Sequence, residues 1–156
     1  MHVETERKFL VRDSSWKASA VSAIPMVQGY IAHDAGNTVR VRILGDKGIL
    51  TVKGPSVNGM SRLEWEKEIP LEDARDLIRL CHGGIIDKTR YIVPAGGGLR
   101  FEVDEFHGDN APLVMAEIEL PSEDFPYERP QWLGEEVTGD KRYYNSWLTV
   151  HPYKGW

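Results

Sequence analysis

The sequence predicts an α+β protein built on an antiparallel sheet large enough to curl over or close. Three observations carry this. Short segments throughout the chain alternate charged and apolar residues at period two, the period of a half-buried strand. Gly, Asn and Asp clusters separate many of these segments at hairpin spacing. A clear helical period occurs once, over Leu71–His82.

In the first strand Glu4, Glu6 and Lys8 share one face, while Val3, Phe9 and Val11 share the other. A polar connection over 12–23 follows, with a short helical turn at Ser14–Ala18. Met26–Ala32 reads as a second strand, and Asp34–Asn37 as a turn of residues that tolerate positive φ. Thr38–Leu44 sets Arg40 and Arg42 against Val39, Val41 and Ile43. Gly45–Gly48 turns the chain into Ile49–Lys53, where Thr51 and Lys53 oppose Leu50 and Val52. After a loop over 54–61, Arg62–Ile69 alternates Arg62, Glu64, Glu66 and Glu68 with Leu63, Trp65 and Ile69.

The helix Leu71–His82 places Leu71, Ala74, Leu77, Ile78 and Cys81 on one stripe and stops at Gly83-Gly84. Cys81 is therefore a core thiol of that helix rather than a nucleophile. Ile85–Val93 carries Lys88 and Arg90 on one face, and Gly96–Gly98 is a hairpin loop. Arg100–Phe106 pairs Glu102 with Asp104, and Val114–Leu120 pairs Glu117 with Glu119. Glu68 and Arg100, at strand ends, are expected to face solvent. The acidic, proline-marked stretch 121–130 is a loop, and 135–144 leads into a short terminal helix.

Composition bounds the function classes. A chain of 156 residues, 41% hydrophobic and 28% charged, fits one soluble globular domain over 1–156. A net charge of −5 argues against a dedicated nucleic-acid binder, though the 19 Lys and Arg leave room for a local basic site. The single cysteine excludes an internal disulfide. No signal-peptide pattern and no membrane-length apolar run is present, so a cytoplasmic location is expected. The five histidines show no ligand spacing, which argues against zinc.

The charged faces can be solvated on a sandwich or turned inward in a barrel, and periodicity alone does not separate the two. The charges nevertheless segregate by strand. Glu4/Glu6, Glu64/Glu66, Glu102/Asp104 and Glu117/Glu119 are acidic pairs; Arg40/Arg42 and Lys88/Arg90 are basic ones. Clustered carboxylates suit a hard divalent ion such as Mg²⁺ or Mn²⁺. Clustered Arg and Lys suit a polyanion, Arg forks matching phosphate oxygens. Together they are the equipment of phosphoryl chemistry, without a Gly-Lys-Ser/Thr loop to cradle the phosphate.

Glu4-Thr5-Glu6-Arg7-Lys8 is a Glu-x-Glu-x-Lys signature. With Gln28-Gly29-Tyr30, Arg40-x-Arg42, Thr51-x-Lys53, Arg62-x-Glu64-x-Glu66, Lys88-x-Arg90-Tyr91, Glu102-x-Asp104, Glu117-x-Glu119 and Asp140–Tyr143, the chain resembles the CYTH, or triphosphate tunnel metalloenzyme, family nearly end to end. The resemblance implies an eight-stranded antiparallel β-barrel forming a charged tunnel, with a few external helices. It also implies metal-dependent hydrolysis of inorganic tripolyphosphate, as in the compact bacterial members. Class IV-type adenylyl cyclase and thiamine triphosphatase are the alternatives within the family. A polyphosphate-binding module without turnover is the alternative outside it.

On this reading Glu4, Glu6, Glu117 and Glu119 hold Mg²⁺ or Mn²⁺, with Glu64, Glu66 and Asp104 as further ligands or their partners. Lys8, Arg40, Arg42, Lys53, Lys88 and Arg90 clamp the triphosphate, and Lys53, Lys88 and Arg90 are the expected catalytic residues. Arg62 joins the clamp or pairs structurally. Lys141 and Arg142 reach the tunnel from the terminal segment or remain surface charges. Tyr30 and Tyr91 pack with a hydrogen-bonding tip. Trp132, Trp147 and Trp156 either cover the barrel or serve a homodimer contact. The expected partner is a small-molecule triphosphate, with no nucleic-acid duplex and no membrane.

Overall fold

The structure is a computed structural model and describes residues 2–156. Nine strands form one antiparallel sheet: β1 (His2–Val11), β2 (Ser22–Asp34), β3 (Asn37–Leu44), β4 (Lys47–Lys53), β5 (Ser61–Ile69), β6 (His82–Gly96), β7 (Leu99–Phe106), β8 (Val114–Glu119) and β9 (Leu133–Glu136). Around the wall the order is β5-β4-β3-β2-β6-β7-β8-β1, and β1 pairs back onto β5 to close an eight-stranded barrel. Closure runs from His2 opposite Glu64 to Thr5 opposite Ser61.

β9 is the ninth strand. Phe9 pairs with Ala116 of β8 on one edge and with Glu136 of β9 on the other. β9 thus continues the edge of β1 from which β5 has departed. The sequence pattern predicts a run from 135–144 into a terminal helix. That short helix is present as α2, Asn145–Leu148, after a 3₁₀ turn at Lys141–Tyr143; the strand β9 at the start of the stretch is the addition. Leu133-Gly134-Glu135-Glu136 shows no apolar–polar alternation, so period two does not reveal β9.

The period-two faces divide inside from outside. Outward-facing Phe9, Val93, Phe101, Val103, Ala116 and Ile118 form a buried cluster. Trp16, from the 3₁₀ turn Ser15–Ser19, and Trp132 cover it. Trp16 meets Tyr91 edge-on at 4.9 Å and Trp132 meets Phe101 at 5.1 Å. Such aromatic pairs add about 0.5–1.5 kcal/mol each beyond the area they bury. Trp132 therefore belongs to the exterior cover.

The helix α1 is shorter than the sequence suggests, Leu71–Ile78, with Cys81 just beyond it and partly buried. It lies over β3 and β4. The approach is close enough that a Cβ on Gly48 would sit 2.5 Å from the Ala74 Cβ. Gly83-Gly84, expected to stop the helix, already belong to β6. Gly96, Gly97 and Gly98 all have positive φ and turn β6 into β7.

A second apolar cluster fills one end of the barrel. Ile86, Phe106 and Met115 share the inward faces of β6, β7 and β8 with Lys88, Asp104 and Glu117. Leu113, Val137, Tyr143 and Leu148 pack onto them. The C-terminal segment lies across this end as a plug. No helix among the described residues is long and apolar enough to cross a membrane.

Candidate active site

Above the plug the barrel interior holds a cavity of about 270 Å³, lined by charged and polar side chains from all eight wall strands. β1 contributes Glu4, Glu6 and Lys8; β5 contributes Arg62, Glu64 and Glu66. Arg40 and Arg42 come from β3, Thr51 and Lys53 from β4, Lys88 and Arg90 from β6. β7 and β8 add Arg100, Glu102, Glu117 and Glu119. Each pair sits two residues apart on its strand, so the pleat alone aims both members inward.

The deepest groups form a connected network. Lys88, 1% exposed, donates to Asp104 Oδ2 at 2.8 Å and to Asn145 Oδ1 at 2.8 Å. Arg90 donates from Nε to Asp104 Oδ1 at 2.8 Å and from Nη2 to Oδ2 at 2.9 Å. Across the floor Arg42 Nε donates to Gln28 Oε1 at 2.7 Å, and Gln28 Nε2 donates to Asn145 Oδ1 at 3.1 Å. Lys8 donates to the Tyr143 carbonyl at 3.2 Å and lies over the Tyr144 ring. The remaining cations are nearer the carboxylates. Lys53 donates to Glu4 Oε1 at 2.7 Å and stands 3.6 Å from Glu64. Arg40 donates to Thr51, which donates in turn to Glu66. The Arg40 Nε is buried without a partner among the described residues.

Burial and charge set the protonation states. Burial pushes the Lys88 ammonium down to about 7, with Arg90 and Arg42 adding to the shift against the pull of Asp104 and Glu117. Burial also lowers Arg42, to about 9, and Arg40 and Arg90 reinforce it. For Lys53 burial acts downward, but Glu4 and Glu6 outweigh it and hold the ammonium above its ordinary value. Glu6 and Glu117 are neighbours with opposite fates. Burial, then Glu117 and Glu4, raise Glu6 well above the carboxylate range. Glu117 is lowered because Lys8 and its contact with Glu6 overcome its burial. Of the two, Glu6 keeps the proton.

Most residues singled out from the sequence come together here, but three do not. Asp104 is 1% exposed and lies behind the lining, both oxygens taken by Lys88 and Arg90. Lys141 and Arg142 do not line the cavity, and Arg142 pairs with Asp140 on the surface. Arg62 lines the cavity while its guanidinium is tied to the Gly54 and Gly36 carbonyls, latching two loops together. Arg100 is exposed at a strand end, as expected, and also lines the rim of the cavity.

Sequence reasoning misses Asn145, Tyr144 and Ser146. All three line the floor from the terminal plug, where no periodicity marks them. Gln28, Thr51 and Glu102 do carry a signal, since each alternates on its strand with a charged or polar neighbour facing inward.

Residues 2–144 match the CYTH domain. The chain belongs to the CYTH family. It is 48% identical over 155 residues to the inorganic triphosphatase of Acetivibrio thermocellus, covering 99% of this chain and 97% of that protein. It is 37% identical over 150 residues to the inorganic triphosphatase of Nitrosomonas europaea, covering 94% and 97%. The crystal structure of the inorganic triphosphatase NE1496 superposes with a TM-score of 0.64 at 35% identity, covering 96% of each chain. The closed, charged barrel is thus the CYTH barrel, with a ninth strand and the terminal plug added to the ring of eight.

The donor set of this CYTH cavity suits a hard divalent cation. Glu4, Glu6, Glu102, Glu117 and Glu119 are oxygen-only ligands, and Glu6 carries an ionisation penalty that a divalent charge would remove. Among the described residues no three His, Cys, Asp or Glu stand gathered around one point. Lys53 sits between Glu4 and Glu64, and its contacts with them would have to loosen for both to share an ion.

Proposed function

We propose that this chain is a divalent-metal-dependent inorganic triphosphatase that hydrolyses tripolyphosphate inside the barrel. The observation that carries the reading is one blind cavity in which a basic floor and an acidic wall face the same small volume. A cavity of about 270 Å³ lined mostly by charged side chains favours the inorganic chain over a nucleotide or thiamine ester. The high identity to two inorganic triphosphatases supports the same choice. One CYTH domain over residues 1–156, in the cytoplasm, belongs to this proposal.

Glu4, Glu6, Glu117 and Glu119 would hold Mg²⁺ or Mn²⁺, with Glu64, Glu66 and Glu102 beside them. Bound there, the ion supplies charge neutralisation on the phosphate oxygens and acidifies a bound water. Lys8, Arg40, Arg42, Lys53 and Arg90 fix the polyanion and offset the charge that spreads over the phosphoryl oxygens as the anhydride breaks. Arg40 lines the cavity, and its buried Nε–H has no partner among the described residues. Lys88, whose ammonium the bound polyanion stabilises, turns a third N–H toward the phosphoryl oxygens and offsets the charge that builds there. Asp104 acts behind the lining by holding Lys88 and Arg90 in place.

The test is product analysis with purified protein and Mg²⁺ or Mn²⁺, offering tripolyphosphate, ATP and thiamine triphosphate in parallel. Equal orthophosphate and pyrophosphate from tripolyphosphate, abolished by EDTA, is expected. Pyrophosphate with cyclic AMP from ATP would mean a cyclase. Tight binding of tripolyphosphate without turnover would mean a binding module.

A further inference from the structure

The plug contributes more than an end wall. We propose that Asn145 is a positioning residue for catalysis: its amide oxygen aims the Lys88 amine into the cavity. The proposal rests on the triphosphatase reading for its kinetic consequence, but not for its geometry. Asn145 lies one residue beyond the stretch that matches the CYTH domain.

The Lys88 nitrogen has three positions besides its bond to Cε. Two are spent on acceptors, Asp104 Oδ2 and Asn145 Oδ1, each at 2.8 Å. The third is left for the cavity, which Lys88 lines. When neutral, the amine gives both hydrogens to these acceptors and turns its lone pair to the substrate space. When charged, it turns its third N–H there. Either way the two acceptors decide the direction.

The orientation of the Asn145 amide is itself fixed. Arg42 can only donate, so the Gln28 atom that it meets at 2.7 Å must be the carbonyl oxygen. The other end of Gln28 is then its NH₂, which donates to Asn145 at 3.1 Å. The Asn145 atom receiving that bond is therefore its oxygen, and the same oxygen receives Lys88. An arginine on β3 thus sets, through two amides, which way a lysine on β6 points. Asp104 alone would leave the flexible lysine stem free to swing about a single contact.

Two variants test this, Asn145→Leu, which removes the acceptor at similar volume, and Asn145→Asp, which keeps an oxygen in place. The first readout needs no substrate: the ¹H–¹⁵N signal of the Lys88 ammonium at low pH and temperature, assigned by its loss in Lys88→Met. It is expected to be protected from exchange in the wild type and in Asn145→Asp, and lost or shifted in Asn145→Leu. An unchanged, protected signal in Asn145→Leu overturns the proposal, whatever the substrate proves to be. The second readout is turnover of tripolyphosphate with Mg²⁺. Misplacing a reacting group by about 1 Å can cost up to about 100-fold, so kcat of Asn145→Leu should fall roughly 10- to 100-fold while KM stays within about threefold. Asn145→Asp should recover most of that kcat. If Asn145→Leu does not fold, Asn145→Asp decides, a lost Lys88 signal there counting against the proposal. A wild type inactive on tripolyphosphate would overturn the triphosphatase reading, while the Lys88 signal, read without substrate, would still decide the positioning role.

Discussion

Arg90 holds Asp104 from two directions, Nε on Oδ1 and Nη2 on Oδ2, while Lys88 shares the second oxygen. One carboxylate therefore compensates two buried cations. Asp104→Asn keeps the shape and removes that compensation, which typically costs about 3–5 kcal/mol when one partner of a buried pair is lost. Urea unfolding of the metal-free protein measures it. A loss below about 1 kcal/mol would mean that the wall strands, rather than Asp104, hold Lys88 and Arg90.

Glu6 makes the opposite contribution. Its folded pKa is raised, so the native state binds the extra proton, and stability is lost as pH rises from the ordinary carboxylate range through the raised value. At pH 8 without metal, ionised Glu6 beside Glu117 and Glu4 weakens the fold. Glu6→Gln is expected to raise Tm in EDTA by about 2–4 °C for each kcal/mol recovered. It should also shrink the Tm gain that Mg²⁺ gives the wild type. Differential scanning fluorimetry at pH 8, with and without Mg²⁺, reads both; an unchanged Mg²⁺ gain would remove Glu6 from the ion-binding set.

Lys88 predicts a pH dependence of binding. With its pKa near 7, it is mostly neutral at pH 8 in the free protein. A polyanion placed against it stabilises the ammonium and raises that pKa, so binding takes up a proton and affinity falls as pH rises above 7. The fall should approach about tenfold per pH unit between the free and bound values. Calorimetry of tripolyphosphate binding in EDTA, compared between wild type and Lys88→Met in two buffers, isolates this uptake from titration of the phosphate itself. Equal proton uptake by the two proteins would remove Lys88 from the binding site.

Leu148 is 1% exposed within the plug. Leu148→Ala should cost about 2–5 kcal/mol, as large-to-small changes in a packed core do. Because α2 also carries Asn145 to the cavity floor, kcat should fall with it. A destabilised variant with undiminished turnover per folded molecule would show that plug packing and floor geometry are independent.

Period-two alternation makes the barrel wall legible in the sequence, because a pleated strand leaves no choice about which face follows which. Glu4, Glu6 and Lys8, or Lys88 and Arg90, can be placed on common faces from spacing alone, and the closed ring follows from the family resemblance. The roles of individual groups are less accessible. Asp104 and Glu102 alternate on one inward face, yet the first is locked beneath the lining by Lys88 and Arg90 and the second lines the cavity. The difference comes from Lys88 and Arg90 on the neighbouring strand, a matter of register that one strand's spacing cannot encode. Asn145 is hidden for another reason: it reaches the site through packing of Tyr143 and Leu148 against the barrel end, and that contact leaves no local pattern.

The closure of the ring has a kinetic consequence. The partners of β1 lie far along the chain: Ser61 to Glu64 in β5, Met115 to Glu119 in β8, Leu133 and Glu136 in β9. β1, made before any of these partners, is thus among the last strands to find its neighbours, and such long-range pairing makes for slow folding. Until then Glu4, Glu6 and Lys8 remain in water, apart from the carboxylates and cations that later surround them. The repulsion and desolvation that tune this cavity are incurred only when the barrel shuts, so the active site and the native state form in the same step.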